Sequence, residues 1–425
     1  MGEDMSIYDY HGNIISADYI TQEPQENDIP IVTIDGELPK TKSQGELNVM
    51  IAYNSLTAQF KDYATLKVQG DSSTGYPKKN FTVKLFSNAE RTVKDKRTFR
   101  DWASANKFVL KANWVDHSHA RNIVNARLWS QVVESRSDFD NLPDELKSGH
   151  IAIDGFPVKV FANGTYMGLY TWNVPKDALY GLKDSILANA IVQGQANNNL
   201  STLWRSSTMS NWDDETHDSM PTVISNGFTD ALNFVYTSSD TNFINNFETY
   251  FDKQSIIDQY IFLYVGCIVD NIGKNQTFFT YNGSYWYGGM YDMDGTWGLP
   301  PFYPFAWLSS STRFQEDYSA YKQTSNTTNL LYERVGTLFE SDVIARYTEL
   351  RTSVLSADNI NAEFERFMSV IPPYLYAEDY AATTGDGDFT DIPLKDTNNV
   401  QQIRQFVVDR LAYVDSMILP SEVTS

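Results

Sequence analysis

Short alternating runs of apolar and polar residues dominate the first part of the chain. "IPIVTIDGELP", "ELNVMIAY", "YATLKVQG" and "NFTVKLFS" are bounded by Gly, Pro, Asn and Asp and predict strands with one face turned to a core. "HIAIDGFPVKVFANGTYMGLYTWNV" continues the pattern, and its Asn-Gly pair at 163–164 marks a hairpin. Between these runs, "DHSHARNIVNARLWSQVVES" changes to helical spacing, with Ile123, Ala126, Arg127 and Ser130 on one side and Val124, Leu128 and Trp129 on another. Residues 1 to about 28 end in "TQEPQENDIP" and read as a polar arm or linker.

The period changes again beyond residue 175. Residues 176 to about 240 are rich in Ser, Asn, Thr and Asp, with weak helical periodicity at "DSILANAIVQ" and "FTDALNFVY", which predicts a loop-rich insertion with short helices. "SIIDQYIFLYVGCIV" then sets Ile256, Tyr260, Tyr264 and Ile268 at i, i+4 steps, the mark of a buried helix face. "LLYERVGTLFESDVIARYTELRTSVL", "NINAEFERFMSVI" and "NNVQQIRQFVVDRLAYVDSMI" predict further amphipathic helices. The expected fold class is therefore α+β: a β-rich lobe over 29–175 and a mainly helical lobe over 176–420, with ligands favouring the cleft between two such lobes.

Composition narrows the function classes. With 425 residues the chain is long enough for two cores, and 42% hydrophobic with 14% aromatic residues is ample for globular folding. Its 54 acidic and 33 basic residues leave a formal charge of −21, which disfavours nucleic acid and anionic membrane surfaces as partners. Cys267 is the single cysteine, so neither an intramolecular disulfide nor a thiolate metal cage is available. No apolar run approaches the roughly 18 residues of a spanning helix, and "MGEDMSIYDYHGNIIS" lacks the basic and apolar regions of a leader. The chain is expected to be soluble, a picture that a removed leader would leave unchanged.

Against that charge, the stretch "VDNIGKNQTFFTYNGSYWYGGMYDMDGTWG" gathers further carboxylates. Asp270 follows a long helix, Asn275 comes five positions later, a strand pair intervenes, and Asp292 and Asp294 arrive in a glycine-flanked turn. Helix, loop, hairpin and acidic turn is the order of the catalytic and metal-binding loops of protein kinases. The same residues also suit plain Asx-turns or a structural Ca²⁺ site. A phosphate cradle has its own candidates in "KVQGDSSTGYPKKNFTVKLF", where Gly70 and Gly75 flank Ser72, Ser73 and Thr74, and Lys79 and Lys84 follow. In strand phase, Lys84 shares a face with Thr82. A polar hairpin with solvated lysines is the plainer alternative. Arg121, at a helix entrance, is placed to reach a phosphate or a carboxylate, while His117 and His119, two apart, do not form a zinc pair and read as surface residues.

Five segments in order resemble the CotH kinase family: "QGDSSTGYPKKNFTVKLF", "FVLKANWVDHSHARNIVNARL", "VKVFANGTYMGLYTWNVPKD", the 270–298 stretch and "IRQFVVDRLAYVDSMI". The resemblance implies a protein-kinase-like two-lobe fold that transfers the γ-phosphoryl group of ATP to protein Ser or Thr hydroxyls with Mg²⁺ or Mn²⁺. Asp270 would be the catalytic aspartate, and Asn275, Asp292 and Asp294 would hold metal. Lys79 or Lys84 would reach the nucleotide phosphates under the loop of Gly70, Ser72 and Ser73, and "YTWNVPKD", with Asn173, would lie beside the adenine. The chain departs from the family at Gln69, where many members carry an arginine, and near Asn173, where many carry an acid. The protein partner it implies is a substrate, with coat or structural proteins as candidates. The rival expectation is a non-catalytic surface, spore or phage-particle protein that keeps the fold and uses it for binding.

Overall fold

The computed structural model describes residues 29–55, 58–299, 308–313, 328–383 and 400–419, together with two short strands, β1 (Ile7–Tyr8) and β2 (Ile14–Ile15), which pair antiparallel. The rest of the arm expected over residues 1–28 lies outside the described residues. The chain divides into two compact units, one of Met1–Ala120, Asp154–Pro175 and Glu365–Asn398, the other of Arg121–Ile153, Lys176–Phe364 and Asn399–Ser425. The helix Arg121–Glu134, placed by the sequence pattern among the N-terminal strands, thus belongs to the second unit.

The first unit is built on seven strands: β3 (Ile31–Gly36), β4 (Leu47–Asn54), β5 (Gln59–Gln69), β6 (Asn80–Phe86), β7 (Lys107–Lys111), β8 (Gly155–Ala162) and β9 (Thr165–Asn173). They close into a barrel in the order β3-β4-β5-β6-β7-β9-β8. Antiparallel pairing runs throughout except at the closure, where β3 lies parallel to β8 from Ile31↔Lys159 to Ile34↔Ala162. Closure pairs the strands that would otherwise be sheet edges. The N-terminal region is therefore β-rich as expected, but its form is a closed barrel rather than a clear kinase-like lobe.

Alternation drives this packing. Along β6, Phe81, Val83 and Leu85 are buried while Thr82, Lys84 and Phe86 are half-exposed. Phe99 lies against Tyr53, Phe108 and Trp172, with ring centroids 5.0–5.5 Å apart, and against Phe60, Trp102 and Phe156 slightly further out. The β8–β9 hairpin turns on Asn163 and Gly164, both at positive φ, the geometry that an Asn-Gly pair adopts at least cost. The Asn163 carboxamide also accepts from the Gly36 N–H and donates to its carbonyl, tying the turn to the end of β3.

The helix Pro373–Thr383 packs on β9 through a buried ion pair. Asp379 accepts from Lys78 Nζ at 2.8 Å, from the Leu169 N–H at 2.7 Å, and pairs with His119 Nε2 at 2.9 Å. Gly168 makes room for it: at φ +102°, a Cβ there would sit 2.2 Å from Asp379 Oδ1. His117 and His119 are consequently buried, not the surface residues their spacing suggested.

The second unit carries a four-stranded antiparallel sheet, β11-β10-β12-β13, of β10 (Ala190–Gly194), β11 (Trp212–Asp214), β12 (Thr277–Thr280) and β13 (Tyr287–Gly289), among helices. The segment expected as a loop-rich insertion thus supplies two strands, one of them central, and the helix Thr222–Thr237. Trp204, Trp212, Phe228, Phe251, Phe278 and Trp286 form a connected aromatic core. The helix Lys253–Gly266 is capped by Asp252, whose side chain accepts from the Ser255 N–H, and is buried nearly all round. Tyr260 and Tyr264, expected on its buried face, are only half-buried, and Ile268 lies beyond its end. The long helical pattern after residue 329 divides at Phe339 into Leu330–Leu338 and Glu340–Arg351. Among the described residues, no helix is long and apolar enough to cross a membrane.

Candidate active site

The helix Lys253–Gly266 stops because Cys267 turns left-handed, with φ +52°, and a single 3₁₀ turn, Val269–Ile272, then presents Asp270 half-exposed. Two carboxamides seat that carboxylate: Asn197 Nδ2 donates to Oδ1 at 2.8 Å and Asn275 Nδ2 to Oδ2 at 2.9 Å. Asn197 also accepts from the Lys274 N–H, so one side chain orients both Asp270 and the loop that follows it. Asn275 itself is at φ +60°, a left-handed conformation that Asn tolerates better than most residues.

Strand β10 fixes this loop from the side. The Asn275 N–H donates to the Gly194 carbonyl and the Gly194 N–H to the Gln276 carbonyl, both at 2.9 Å. The approach requires glycine, since a Cβ on Gly194 would stand 2.1 Å from the Gly273 oxygen. Gln276, 1% exposed, donates to the Thr202 and Ile272 carbonyls and accepts from Trp204 Nε1 and Asn329 Nδ2, which satisfies its buried amide. Next to it, Gln193 Nε2 donates to Asn275 Oδ1 at 3.2 Å, while Gln193 Oε1 accepts from Lys176 Nζ at 2.9 Å. Lys176 is paired with Glu215 at 2.7 Å and stands over the Tyr291 ring. Burial lowers the Lys176 pKa, and Glu215 and Asp292 oppose that shift.

The second acidic turn is held against the first. Asn271, 1% exposed, donates to the Tyr291 carbonyl at 2.9 Å and to the Asn275 carbonyl at 3.4 Å, so one side chain bridges the 270–275 loop and the start of the 291–294 turn. The helix Arg121–Glu134 grips the turn from its other side. Asn122 Oδ1 accepts from the Met293 N–H; Asn125 donates to the Met293 carbonyl and Thr296 Oγ1 and accepts from Trp297 Nε1. Met293 is buried, whereas Asp292 and Asp294 on either side are half-exposed. Asp292 takes φ +54° to make that alternation.

The loop carrying Asp270 and Asn275 and the turn carrying Asp292 and Asp294 are therefore joined through Asn271 within the second unit. Arg121, expected to reach a phosphate, is fully buried, with Nε on the Thr296 carbonyl and Nη2 on Gln402 Oε1. It braces the acidic turn. The remaining predicted residues lie in the barrel unit. Gly70, at φ +108°, and the 3₁₀ turn Ser72–Gly75 form one loop, and Lys79 folds back on that loop, donating to the Thr74 and Tyr76 carbonyls. Lys84 pairs with Glu46 on the barrel's outer face, where Thr65 also donates to Glu46. Asn173 ends β9, 3% exposed.

Sequence reasoning did not single out Lys176, Gln193, Asn197, Asn271 or Gln276. For Gln193 and Asn197 the one signal is the density of carboxamides in "QGQANNN" at 193–199, which reads equally as a polar loop, while Lys176, Asn271 and Gln276 stand in "YTWNVPKD" and "VDNIGKNQ" with nothing to set them apart from their neighbours.

The half-exposed donors of the site are the Asp270, Asp292 and Asp294 carboxylates, with the Asn275 carboxamide buried behind them, and such oxygens are the hard ligands that Mg²⁺ and Mn²⁺ take. Among the described residues, no three His, Cys, Asp or Glu side chains converge as a ready-made cage. Mg²⁺ needs none, because it is commonly held by one or two carboxylates together with phosphate oxygens and water. The donor set fits such an ion.

The family model described as CotH kinase protein matches residues 66–414, most of the chain, and the chain belongs to that family. No curated protein matches it.

Proposed function

We propose that this CotH-family chain is an atypical protein kinase that transfers the γ-phosphoryl group of ATP to a protein Ser or Thr hydroxyl, on a protein-kinase-like two-lobe plan in which the barrel unit serves as the N-terminal lobe. The observation that carries the reading is the Asn271 bridge, which holds the Asp270–Asn275 loop and the Asp292–Asp294 turn on one platform. Family membership supports the same chemistry.

In this reading Asp270 accepts a hydrogen bond from the acceptor hydroxyl and orients its oxygen toward the γ-phosphorus. The new P–O bond forms as the bond to the β,γ-bridging oxygen breaks; ADP leaves with the electron pair, and the hydroxyl proton passes to Asp270 late in a loose transition state. Asn197 and Asn275 keep the carboxylate from rotating, which is a positioning contribution. Asn275, Asp292 and Asp294 would hold Mg²⁺ or Mn²⁺, whose charge neutralises the phosphates. An acidic chain needs that neutralisation to accept a polyanion.

Incubation with labelled ATP and Mg²⁺ or Mn²⁺, followed by mass spectrometry of the chain, tests transfer, metal need and acceptor type together. Asp270→Asn is expected to lower transfer at least about 10²- to 10⁴-fold while Mn-ATP binding stays within a few-fold of wild type. The pair Asp292→Ala and Asp294→Ala is expected to lose Mn-ATP binding. Equal transfer by wild type and Asp270→Asn sinks the assignment, and no transfer under any metal leaves the non-catalytic binding protein as the better reading.

A further inference from the structure

Gln193 and Lys176 form a hydrogen-bonded line leading to Asn275, with Lys176 also over the Tyr291 ring at the start of the acidic turn, and their hydrogen bonds have a fixed direction. An ammonium can only donate. Lys176 Nζ therefore requires the carbonyl end of the Gln193 carboxamide, which turns Gln193 Nε2 toward Asn275. That N–H in turn requires Asn275 Oδ1, which leaves Asn275 Nδ2 for Asp270 Oδ2. Glu215 holds Lys176 in place from the opposite side at 2.7 Å, and Gln195 Nε2 donates to the other oxygen of Glu215. Donation thus runs one way from Lys176 through Gln193 and Asn275 to Asp270, with Lys176 donating to Glu215 as well.

We propose that Lys176 and Gln193 are positioning residues that set the orientation of the Asn275 carboxamide, and so decide which of its atoms faces Asp270 and which is offered to a divalent cation. This deepens the phosphoryl-transfer reading and rests on it for its functional consequence. Asn275 Oδ1 has two lone pairs. One accepts from Gln193, and the other remains able to face a cation whose direction the Gln193 bond defines. Without the bond, the carboxamide can turn over and present N–H where an oxygen is needed. Outer partners of this kind typically change metal affinity by about 10- to 100-fold.

The test uses the full chain. In metal-free protein labelled with ¹⁵N-asparagine, the Asn275 side-chain amide pair is identified by its loss in Asn275→Ser, and its hydrogen exchange is compared across variants. Protection is expected in wild type and in Lys176→Arg, which keeps a donor. Gln193→Met, nearly isosteric but without donor or acceptor, and Lys176→Met are both expected to lose it. Mn²⁺ affinity, measured by titration calorimetry, is expected to fall about 10- to 100-fold in Gln193→Met, with the thermal transition retained. Unchanged amide protection, or unchanged Mn²⁺ affinity, in a folded Gln193→Met overturns the proposal. Failure of wild type to bind Mn²⁺ would instead remove the metal-dependent transfer reading, and amide exchange alone would then decide whether Gln193 sets the orientation of Asn275.

Discussion

Replacing Lys78 with methionine should loosen the helix Pro373–Thr383 from the barrel far more than removing any exposed lysine. Lys78 and Asp379 are 4% and 3% exposed, and their charged atoms are 2.8 Å apart. Lys78 also donates to the Leu169 carbonyl and lies 4.6 Å from the Tyr170 ring centre. Burial by itself raises the Asp379 pKa, but Lys78 and His119 outweigh it and hold the carboxyl well below its ordinary value. Methionine keeps most of the aliphatic stem and deletes the charge, leaving a buried carboxylate without its main counter-ion. Losing one partner of such a pair costs about 3–5 kcal/mol.

An exposed pair on the same barrel supplies the control. Lys84 and Glu46 are each 37% exposed, and a pair so screened is worth about 0–1 kcal/mol. Hydrogen exchange of peptides covering β9 and 373–383 reads these energies locally, without requiring both units to unfold together. At about 1.4 kcal/mol per decade, Lys78→Met should speed exchange there by roughly two to four orders of magnitude, and Lys84→Met by less than about tenfold. The double variant Lys78→Met with Asp379→Leu should recover only part of the loss. It removes both charges, but the Leu169 N–H and His119 lose their acceptor, at about 1–3 kcal/mol for each buried group left unsatisfied. Protection in Lys78→Met within about tenfold of wild type would mean that the Lys78–Asp379 pair does not hold the helix to the barrel.

Two further outcomes follow from single side chains. Burial, helped by His119 and Lys78 and opposed by Asp379 and Asp116, lowers the His117 pKa from 6.5 to about 4. The folded state therefore binds fewer protons than the unfolded chain between those values, so stability falls as pH drops through that window, by about 3 kcal/mol in all at 1.36 kcal/mol per unit. His117→Phe should flatten that part of a pH–stability profile of the barrel unit, and an unchanged slope would count against the burial argument. Gly194→Ala places a methyl where a Cβ would be 2.1 Å from the Gly273 oxygen; it should cost about 1–3 kcal/mol by urea denaturation and lower phosphoryl transfer, whereas wild-type values for both would show that the loop yields freely.

Part of the barrel was legible because β6 alternates buried and half-exposed positions and because Asn163 and Gly164 mark their turn, although β8 is buried at all eight of its positions. The failures have physical causes. β10 is buried at all five positions, so period two vanishes and "AIVQ" resembles a weak helix. β7 is a run of only three apolar residues between lysines, bounded by Asn106 and Asn113 but too short to show a period. Phe339 breaks a helical pattern that carries neither Gly nor Pro at that point, and both halves remain amphipathic. At the site, the spacing from Asp270 to Asn275 and the later acidic turn could be read from the sequence. The burial of His119 could not, because its partner Asp379 lies 260 residues downstream. The burial of Arg121 was hidden for the same reason: a guanidinium at a helix start suits an anion in sequence terms, and only the fold brings the Thr296 carbonyl and Gln402 to it.

The chemistry of the donors around Asp270 is as informative as their positions. A guanidinium or ammonium in the place of Asn197 or Asn275 would orient the carboxylate equally well, but it would also cancel its charge. A carboxamide N–H orients without cancelling. Asn122, Asn125 and Asn271 do for the Met293–Trp297 segment and the Tyr291 carbonyl what Asn197 and Asn275 do for Asp270, again with neutral groups. Charged groups also take part: Arg121 donates to the Thr296 carbonyl, and Lys176, paired with Glu215, stands over the Tyr291 ring and interacts with Asp292. In a chain of formal charge −21, the two carboxamides in contact with Asp270 orient its carboxylate without adding a charge of their own. Under the phosphoryl-transfer proposal, the retained carboxylate charge would help to draw in a divalent cation and, through it, a polyphosphate.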